Sequence, residues 1–209
     1  GAGDTHVFSS SGETVHLPCR NTVQQCRPAG TTWMYTFRQT YSQTTKIIVL
    51  GVKEMATKVS MYLGSDCSLT LSRVIVEMAG RYTCQQWSED QQYGPDAHVY
   101  LHVVAVSQSS SDISPGLSLT LYCQLFSYFE FHCESLATCK DFRLSWLDQA
   151  GVILNTDSRF DVISYPEQCI TRLSTTLVRE DNNKQWRCGI YQRNELKTSD
   201  TFTVHYSGQ

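Results

Sequence analysis

The chain has 209 residues, and its 17 Lys and Arg stand against 20 Asp and Glu for a formal net charge of −3. Because it contains no basic run that could release counterions from a phosphate backbone, nucleic acid is excluded as an expected partner. The length suits two domains of about 100 residues each. Nine cysteines indicate an oxidising compartment, since cytosolic thiol buffers keep cysteines reduced.

Alternation of apolar and polar residues predicts a series of short strands in the first half of the chain. In chain order they are residues 13–18, the stretch around Trp33, residues 46–50, residues 68–72, the stretch around Cys84, and residues 97–103. Polar residues at 39–45 predict the turn of a hairpin between the second and third strands. The first half therefore predicts an antiparallel β domain.

The same order of strands begins again in the second half. Alternating segments lie at residues 118–123 and 170–177, and Trp146 leads through a shorter turn into residues 152–154. The strand at 97–103 runs on without a Gly, Pro or Ser-rich spacer, so we expect a short linker. We predict domain one at residues 1–104 and domain two at residues 105–209.

Cysteine and tryptophan recur at one spacing in both halves of the chain. The separation of Cys26 from Trp33 equals that of Cys139 from Trp146. An outer pair of cysteines is 65 residues apart in each half, Cys19 with Cys84 and Cys123 with Cys188. An aromatic residue, Tyr82 or Trp186, lies two positions before the second outer cysteine.

This pattern resembles the immunoglobulin superfamily, and the resemblance covers nearly the whole chain. It implies an all-β chain of two tandem immunoglobulin-like β-sandwiches, of which the first is of the variable (V) type and the second is V/C2-like. It also implies one disulfide bond between strands B and F of each domain, with the strand-C tryptophan packed against it.

We expect four disulfide bonds in all. Cys26 and Cys67 lie in turns at the same end of a V-type sandwich, so a bond between them is geometrically reasonable, and the repeated spacing favours the equivalent bond in domain two. The expected pairs are Cys19–Cys84, Cys26–Cys67, Cys123–Cys188 and Cys139–Cys169. Cys133 is then left over, as an intermolecular partner or a buried inert thiol. The alternative pairs Cys133 with Cys139 and leaves Cys169 free.

Two positions depart from the family pattern. The acidic residue expected six positions before the strand-F cysteine is Met78 in domain one and Asn182 in domain two. Its salt bridge to a strand-D arginine is therefore either absent or rebuilt by Glu77 or Asp181. The tyrosine of the tyrosine corner is replaced in domain two by Trp186, which cannot donate a phenolic hydrogen bond.

Strand alternation also predicts which side chains of domain one face outward. With Cys84 in the core, Gln85 and Trp87 point away from it, as do alternate residues of the strand at 97–103. We predict that this face is exposed and binds protein through Met34, Thr36, Gln85, Trp87, Tyr93, His98, Tyr100 and His102. Histidines in such a contact would make affinity change between about pH 5 and pH 7. In the alternative, Trp87 folds back over the core and the histidines are only solvated.

Residues 126–133 of domain two, Phe-Ser-Tyr-Phe-Glu-Phe-His-Cys, are too aromatic for a free loop. We expect this stretch to pack against the elbow between the domains. The alternative is a ligand or dimer patch with Cys133 at its edge.

The resemblance implies the extracellular part of a leukocyte receptor or adhesion molecule that binds a protein ligand on another cell or in plasma. The alternatives are homophilic or disulfide-linked self-association as a homodimer, and a secreted two-domain immune binding protein. We expect no enzymatic activity, because no nucleophile elbow, zincin helix or phosphate loop occurs. No cofactor or metal site is predicted. No 18-residue apolar stretch or leader is present, so we expect any native membrane anchor outside this stretch.

Overall fold

A computed structural model describes residues 4–21, 25–37, 43–54, 60–109, 112–128, 142–165 and 168–207. The chain forms two units. Unit 1 contains the described residues up to Val103 together with residues 126–128, and unit 2 contains residues 104–125 and the described residues from 142 onward.

Unit 1 is an antiparallel sandwich of a larger and a smaller sheet. Its strands are β1 (Thr5–Ser10), β2 (Val15–Leu17), β3 (Thr31–Phe37), β4 (Thr44–Val49), β5 (Val52–Lys53), β6 (Met61–Leu63), β7 (Leu69–Leu71), β8 (Gly80–Ser88), β9 (Gln91–Gln92) and β10 (Ala97–Gln108), of which β10 continues into unit 2. The larger sheet has the order β10-β8-β3-β4-β5, with β1 beside β10 and β9 beside β8, and the smaller sheet has the order β2-β7-β6.

Unit 2 repeats this plan with fewer strands among its described residues. Its own strands are β11 (Ser118–Phe126), β12 (Phe142–Leu147), β13 (Asp161–Tyr165), β14 (Ile170–Thr176), β15 (Gln185–Gln192) and β16 (Glu195–Thr203). One sheet has the order β13-β14-β11 and the other β12-β15-β16. The segment predicted at residues 152–154 forms only an isolated bridge between Leu147 and Ile153. Both strand orders are those of immunoglobulin-like sandwiches, which confirms the predicted fold class.

Three of the four expected disulfide bonds lie within the described residues. Cα atoms are 5.6 Å apart in Cys19–Cys84, 5.7 Å in Cys26–Cys67 and 6.2 Å in Cys123–Cys188. The strand-C tryptophans of the two units, Trp33 and Trp146, are fully buried in the cores beside the bonds between the sheets. The sandwich frame predicted from the cysteine and tryptophan spacing is thus present in both units.

Of the fourth expected bond, Cys139–Cys169, only Cys169 lies within the described residues. Cys169 is disulfide-bonded, so the alternative in which it stays free is wrong. Cys133 and Cys139 lie outside the described residues, and the choice of Cys139 over Cys133 as the partner stays a prediction.

A tyrosine hydroxyl fixes the turn before strand F, which is β8 in unit 1 and β15 in unit 2. The tyrosine occupies a different position in the sequence of each unit. In unit 1 the buried hydroxyl of Tyr82 donates a hydrogen bond to the carbonyl oxygen of Met78 at 2.8 Å. In unit 2, where Trp186 occupies the equivalent position, the hydroxyl of Tyr206 donates to the carbonyl oxygen of Val178 at 2.6 Å. The last strand region of unit 2 therefore supplies the phenol that Trp186 cannot.

The salt bridge of the family pattern is rebuilt in unit 2 one residue early. Asp181 is fully buried and pairs with both terminal nitrogens of Arg159. It also accepts a hydrogen bond from the backbone N–H of Val178 at 2.9 Å. Burial alone would raise the pKa of Asp181, but the hydrogen bonds from Arg159 and Val178 hold it below its ordinary value. For domain two, the predicted alternative in which Asp181 rebuilds the salt bridge is therefore confirmed.

We predict that Asp181→Asn lowers the free energy of unfolding by about 2–3 kcal/mol, because the guanidinium of Arg159 loses its charged partner in a mostly buried pair. Urea unfolding monitored by circular dichroism measures the change. Asp161→Asn is the matched control: its partner is Arg172, its side chain is 67% exposed, and its loss should cost less than about 0.5 kcal/mol. Equal effects of the two substitutions would contradict a structural role for the Asp181 pair.

Candidate functional site

The outward face of the larger sheet of unit 1 is divided into a covered half and an open half. Thr36, Tyr100 and His102 are buried, with His102 only 2% exposed, so the prediction that these three are exposed is wrong. Alternation does turn Tyr100 and His102 away from the core, but side chains of β1, which lies beside β10, and of residues 127–128 pack on them. Thr36 is closed off against Thr44, with 3.2 Å between their hydroxyl oxygens.

The covered half contains a histidine cluster, defined by His6, Phe8, His102 and Ser127. The Nδ1 atom of His6 lies 2.9 Å from Nε2 of His102, and the Nδ1 atom of His102 lies 2.6 Å from the hydroxyl oxygen of Ser127. The rings of His6 and Phe8 both stack on His102, at 5.2 and 4.9 Å between centroids. Both nitrogens of His102 are thus used in contacts within unit 1, and none is presented at its surface.

The described part of the aromatic stretch belongs to unit 1. Phe126 packs against the hydrophobic core of this unit. The ring of Tyr128 lies 5.9 Å from that of Tyr100, and the guanidinium of Arg81 lies 5.3 Å from the Tyr128 centroid. Residues 129–133, including Cys133, fall outside the described residues, so their part of the prediction stays open.

Strands β3, β4 and β8 leave the other half open, and it forms a cavity of about 440 Å³, which we call the groove. Its floor consists of Thr32 and Met34 from β3 and of Gln85 and Trp87 from β8, all on the side away from the core. Met34, Gln85 and Trp87 are half-buried. Three of the eight predicted binding residues therefore line one cavity.

The rim of the groove carries apolar and charged side chains that the alternation argument did not identify. Lys46, Val49 and Leu50 line the β4 side, and Leu50 is 49% exposed. Glu89 and Asp90 line the side that follows β8. Val49 ends β4, and Leu50, Glu89 and Asp90 lie in turns, where period-two alternation carries no information about direction. Lys46 lies within β4.

The remaining two predicted residues lie outside the groove. Tyr93 is 57% exposed in the loop after β9. His98 is half-buried on β10, and its Nδ1 atom lies 3.0 Å from the hydroxyl oxygen of Thr83. Neither residue is part of the groove lining.

A chain of hydrogen bonds holds Trp87 in position. Its indole N–H donates to Oε1 of Gln85 at 3.2 Å, and the amide nitrogen of Gln85 donates to Oδ1 of Asp96 at 3.0 Å. Gln92 donates to the same Asp96 oxygen at 2.5 Å. Because the ring is already fixed in the free protein, a ligand that contacts it loses less affinity to side-chain ordering.

Two glycines allow the wall of the groove to close around its floor. A Cβ atom at Gly30 would collide with the carbonyl oxygen of Trp87. At Gly51, whose φ is +82°, a Cβ atom would lie 2.7 Å from the carbonyl oxygen of Pro28 and 3.0 Å from the Cα atom of Ala29. The 3-10 turn Pro28–Gly30 can therefore pack directly on the neighbouring backbones, with its residues Ala29 and Gly30 in the groove lining.

The composition of the groove is that of a binding surface. Among the residues that the structure describes, no group of three or more His, Cys, Asp and Glu side chains is placed to hold a metal ion. The groove instead combines an aromatic ring, apolar side chains and isolated charges, which is the composition found at the centres of protein interfaces.

The chain was compared with protein families, curated proteins and solved structures. No family model matches it, and no curated protein matches it. Murine CEACAM1b aligns with 19% identity and a TM-score of 0.36, over 96% of this chain and 98% of that one. An I-band fragment from titin aligns with 12% identity and a TM-score of 0.35 over 97% of this chain, which spans 63% of the titin fragment.

Burial of His102 makes the stability of unit 1 depend on pH. Burial, with the charge of His6 as a lesser cause, lowers the pKa of His102 to about 3. Histidine in an unfolded chain has a pKa of about 6.5. As the pH falls below that value, His102 becomes protonated in the unfolded state but stays neutral in the folded state, so folding becomes less favourable.

We predict that the free energy of unfolding of unit 1 falls by about 2 kcal/mol between pH 7 and pH 5 on account of His102. Urea unfolding at the two pH values measures the difference. His102→Gln should remove most of this difference, whereas His16→Gln, on an exposed position of β2, should keep it. An unchanged pH dependence in His102→Gln would show that the buried histidine does not cause it.

We predict that Gly51→Ala destabilises the protein by at least about 1 kcal/mol more than Gly12→Ala, because only the first adds a backbone collision. Both glycines have positive φ, +82° and +89°, which would strain an alanine at either position, but a Cβ atom at Gly12 would meet nothing within 4 Å. Thermal unfolding of both variants measures the comparison. Equal losses would mean that the close approach to Pro28 costs nothing.

Proposed function

We propose that the chain is an extracellular recognition module that binds a protein ligand through the groove and the surrounding outward face of unit 1. The observation that carries this proposal is the open cavity with a pre-oriented tryptophan in its floor. Tryptophan is among the residues most enriched at the energetic centres of protein interfaces, and such residues lie in pockets that exclude water.

The surroundings of the groove support a macromolecular ligand. Leu50 and Val52, on the β4–β5 side, are 49% and 65% exposed. Tyr93 adds a third large exposed side chain in the loop after β9. Isolated apolar side chains are normal on a protein surface, but several around one cavity indicate a place where a partner covers them.

The disulfide bonds indicate the compartment in which the proposed binding takes place. Bonds of this kind persist in secreted and extracellular proteins and are rare in the cytosol. Among the described residues, no helix is long and apolar enough to cross a membrane. We propose a cell-surface receptor or adhesion protein, whose anchor lies outside this stretch, or a secreted relative of one, with its partner on another cell or in plasma.

We predict that Trp87→Ala weakens binding of the protein partner at least about 30-fold, since loss of a central interface tryptophan costs about 2 kcal/mol or more. The soluble chain is screened against arrayed cell-surface and plasma proteins, itself included, and each hit is measured by surface plasmon resonance. Tyr62→Ala is the matched control, because Tyr62 is also a large, solvent-accessible aromatic residue, 50% exposed, but lies on β6 of the opposite sheet.

The two variants separate the possible results of this screen. A hit that loses affinity in Trp87→Ala and keeps it in Tyr62→Ala supports the proposal. If the partner found is a second copy of this chain, and its affinity falls in Trp87→Ala but not in Tyr62→Ala, the result would favour homophilic adhesion through the groove. A partner that binds both variants as well as the unmodified chain would place the binding surface elsewhere.

A further inference from the structure

We infer that the groove binds an arginine side chain of the partner, with its guanidinium over the indole of Trp87 and beside the carboxylates of Glu89 and Asp90. This inference rests on the proposed function and specifies the chemistry of its ligand. Trp87, Glu89 and Asp90 all line the same cavity.

Two adjacent acidic residues occupy a turn whose backbone conformation is unfavourable for them. Ser88 of β8 pairs with Gln91 of β9, so Glu89 and Asp90 form the two-residue turn between the strands. Both have positive φ, 46° and 64°. Glycine and asparagine are favoured in such a turn, and a glutamate with positive φ is uncommon. Strain retained at a cavity rim is a reason to look for a function of the side chains that carry it.

The turn itself does not require acidic residues. Unit 2 has the same two-residue turn between β15 and β16, flanked by the pair Gln192 and Glu195. There the two positions are Arg193 and Asn194, again with positive φ of 51° and 63°. Since one geometry accepts opposite charges, the acidic pair in unit 1 is a property of the groove and not of the fold.

The carboxylates of Glu89 and Asp90 have no cationic partner within the described part of the chain. Both residues are exposed, and no ion pair among the described residues includes either of them. Lys46 lines the groove from the β4 side without pairing with them. Two neighbouring negative charges repel each other, so a cation from a partner is the ligand that this rim stabilises most.

In unit 2 the corresponding position is also aromatic, and an arginine of the chain itself lies over its ring. Tyr191 follows the strand-F cysteine by three positions, as Trp87 does in unit 1. The guanidinium of Arg143 lies 4.8 Å from the centroid of the Tyr191 ring. Arg143 precedes the core tryptophan by three positions, and the residue at that place in unit 1 is Gly30. Unit 1 therefore has the aromatic ring without the internal arginine.

Arginine fits this vacant position better than lysine does. A planar guanidinium stacks on an aromatic face and can donate two parallel hydrogen bonds to a carboxylate, and tryptophan is the strongest aromatic partner for a cation. The apolar stem of the arginine would lie along Met34 in the groove floor.

The inference is tested by nuclear magnetic resonance with three capped tripeptides, Ala-Arg-Ala, Ala-citrulline-Ala and Ala-Lys-Ala. Citrulline has the shape of arginine without its charge. The indole N–H signal of Trp87, assigned by its loss in Trp87→Phe, reports occupancy of the groove. We expect a saturable shift with the arginine peptide, a several-fold weaker response with the lysine peptide and none with the citrulline peptide.

The double variant Glu89→Gln/Asp90→Asn should weaken binding of the arginine peptide about tenfold, because it keeps the shape of the turn and removes both charges. Glu77→Gln, an exposed acid away from the groove, is the matched control and should change nothing. Circular dichroism verifies that each variant is folded. Equal shifts with arginine and citrulline, equal shifts with arginine and lysine, no shift at all, or unchanged affinity in the double variant would each overturn the inference.

The failure of this inference is distinguishable from failure of the proposed function. A protein partner whose affinity falls in Trp87→Ala but stays the same in Glu89→Gln/Asp90→Asn would leave the groove as the binding surface and reject the arginine. A partner that is insensitive to both variants would reject the groove itself.

Discussion

The bond between Cys19 and Cys84, with Trp33 buried beside it, determines the direction of the side chains on which the groove depends. Because Cys84 has to face the opposite sheet, the pleat of β8 turns Gln85 and Trp87 outward. Because Trp33 has to reach the core from β3, its neighbours Thr32 and Met34 also turn outward, beside them. A shift of one residue in either strand would exchange the floor of the groove with the core. The cross-link therefore fixes the floor of the groove through strand register and not through any direct contact with it.

Register decides which way a side chain points, but it does not decide whether the side chain is covered. His102 and Trp87 both point away from the core of unit 1, yet one is buried and the other lines an open cavity. The difference comes from distant segments of the chain: His6 of β1 and Ser127 each contact one ring nitrogen of His102. These contacts leave a hydrogen-bonded cluster inside the unit, whereas the groove lies on the β3, β4 and β8 side of the same face. The place of the groove therefore depends on which part of the face is covered as well as on the residues that line it.

The same distinction explains how much the sequence could predict. Strand positions and the pairing of Cys26 with Cys67 follow from local alternation and from a spacing that recurs in both halves, and the structure contains both. Burial of Tyr100 and His102 depends on a distant strand that no local pattern connects to them. The groove rim depends on turns, where the direction of Glu89 and Asp90 is set by backbone conformation and not by period. In unit 2 the shift of the salt bridge to Asp181 was predicted as one alternative, whereas the transfer of the corner hydrogen bond to Tyr206 required the tertiary structure.

The two units share one plan, and they differ in the described residues that correspond to the groove. In unit 2 the position of Gln85 is taken by Gly189, and side chains occupy the space above it: a Cβ atom there would lie 2.6 Å from Leu196 and 3.2 Å from Leu147. A strand equivalent to β4 is reduced, within the described residues, to the bridge at Ile153, whereas in unit 1 Lys46 and Leu50 form a wall of the groove. Arg143 finally covers the aromatic ring of Tyr191. At each of these positions unit 2 has an internal contact, whereas in unit 1 the corresponding described residues line the groove.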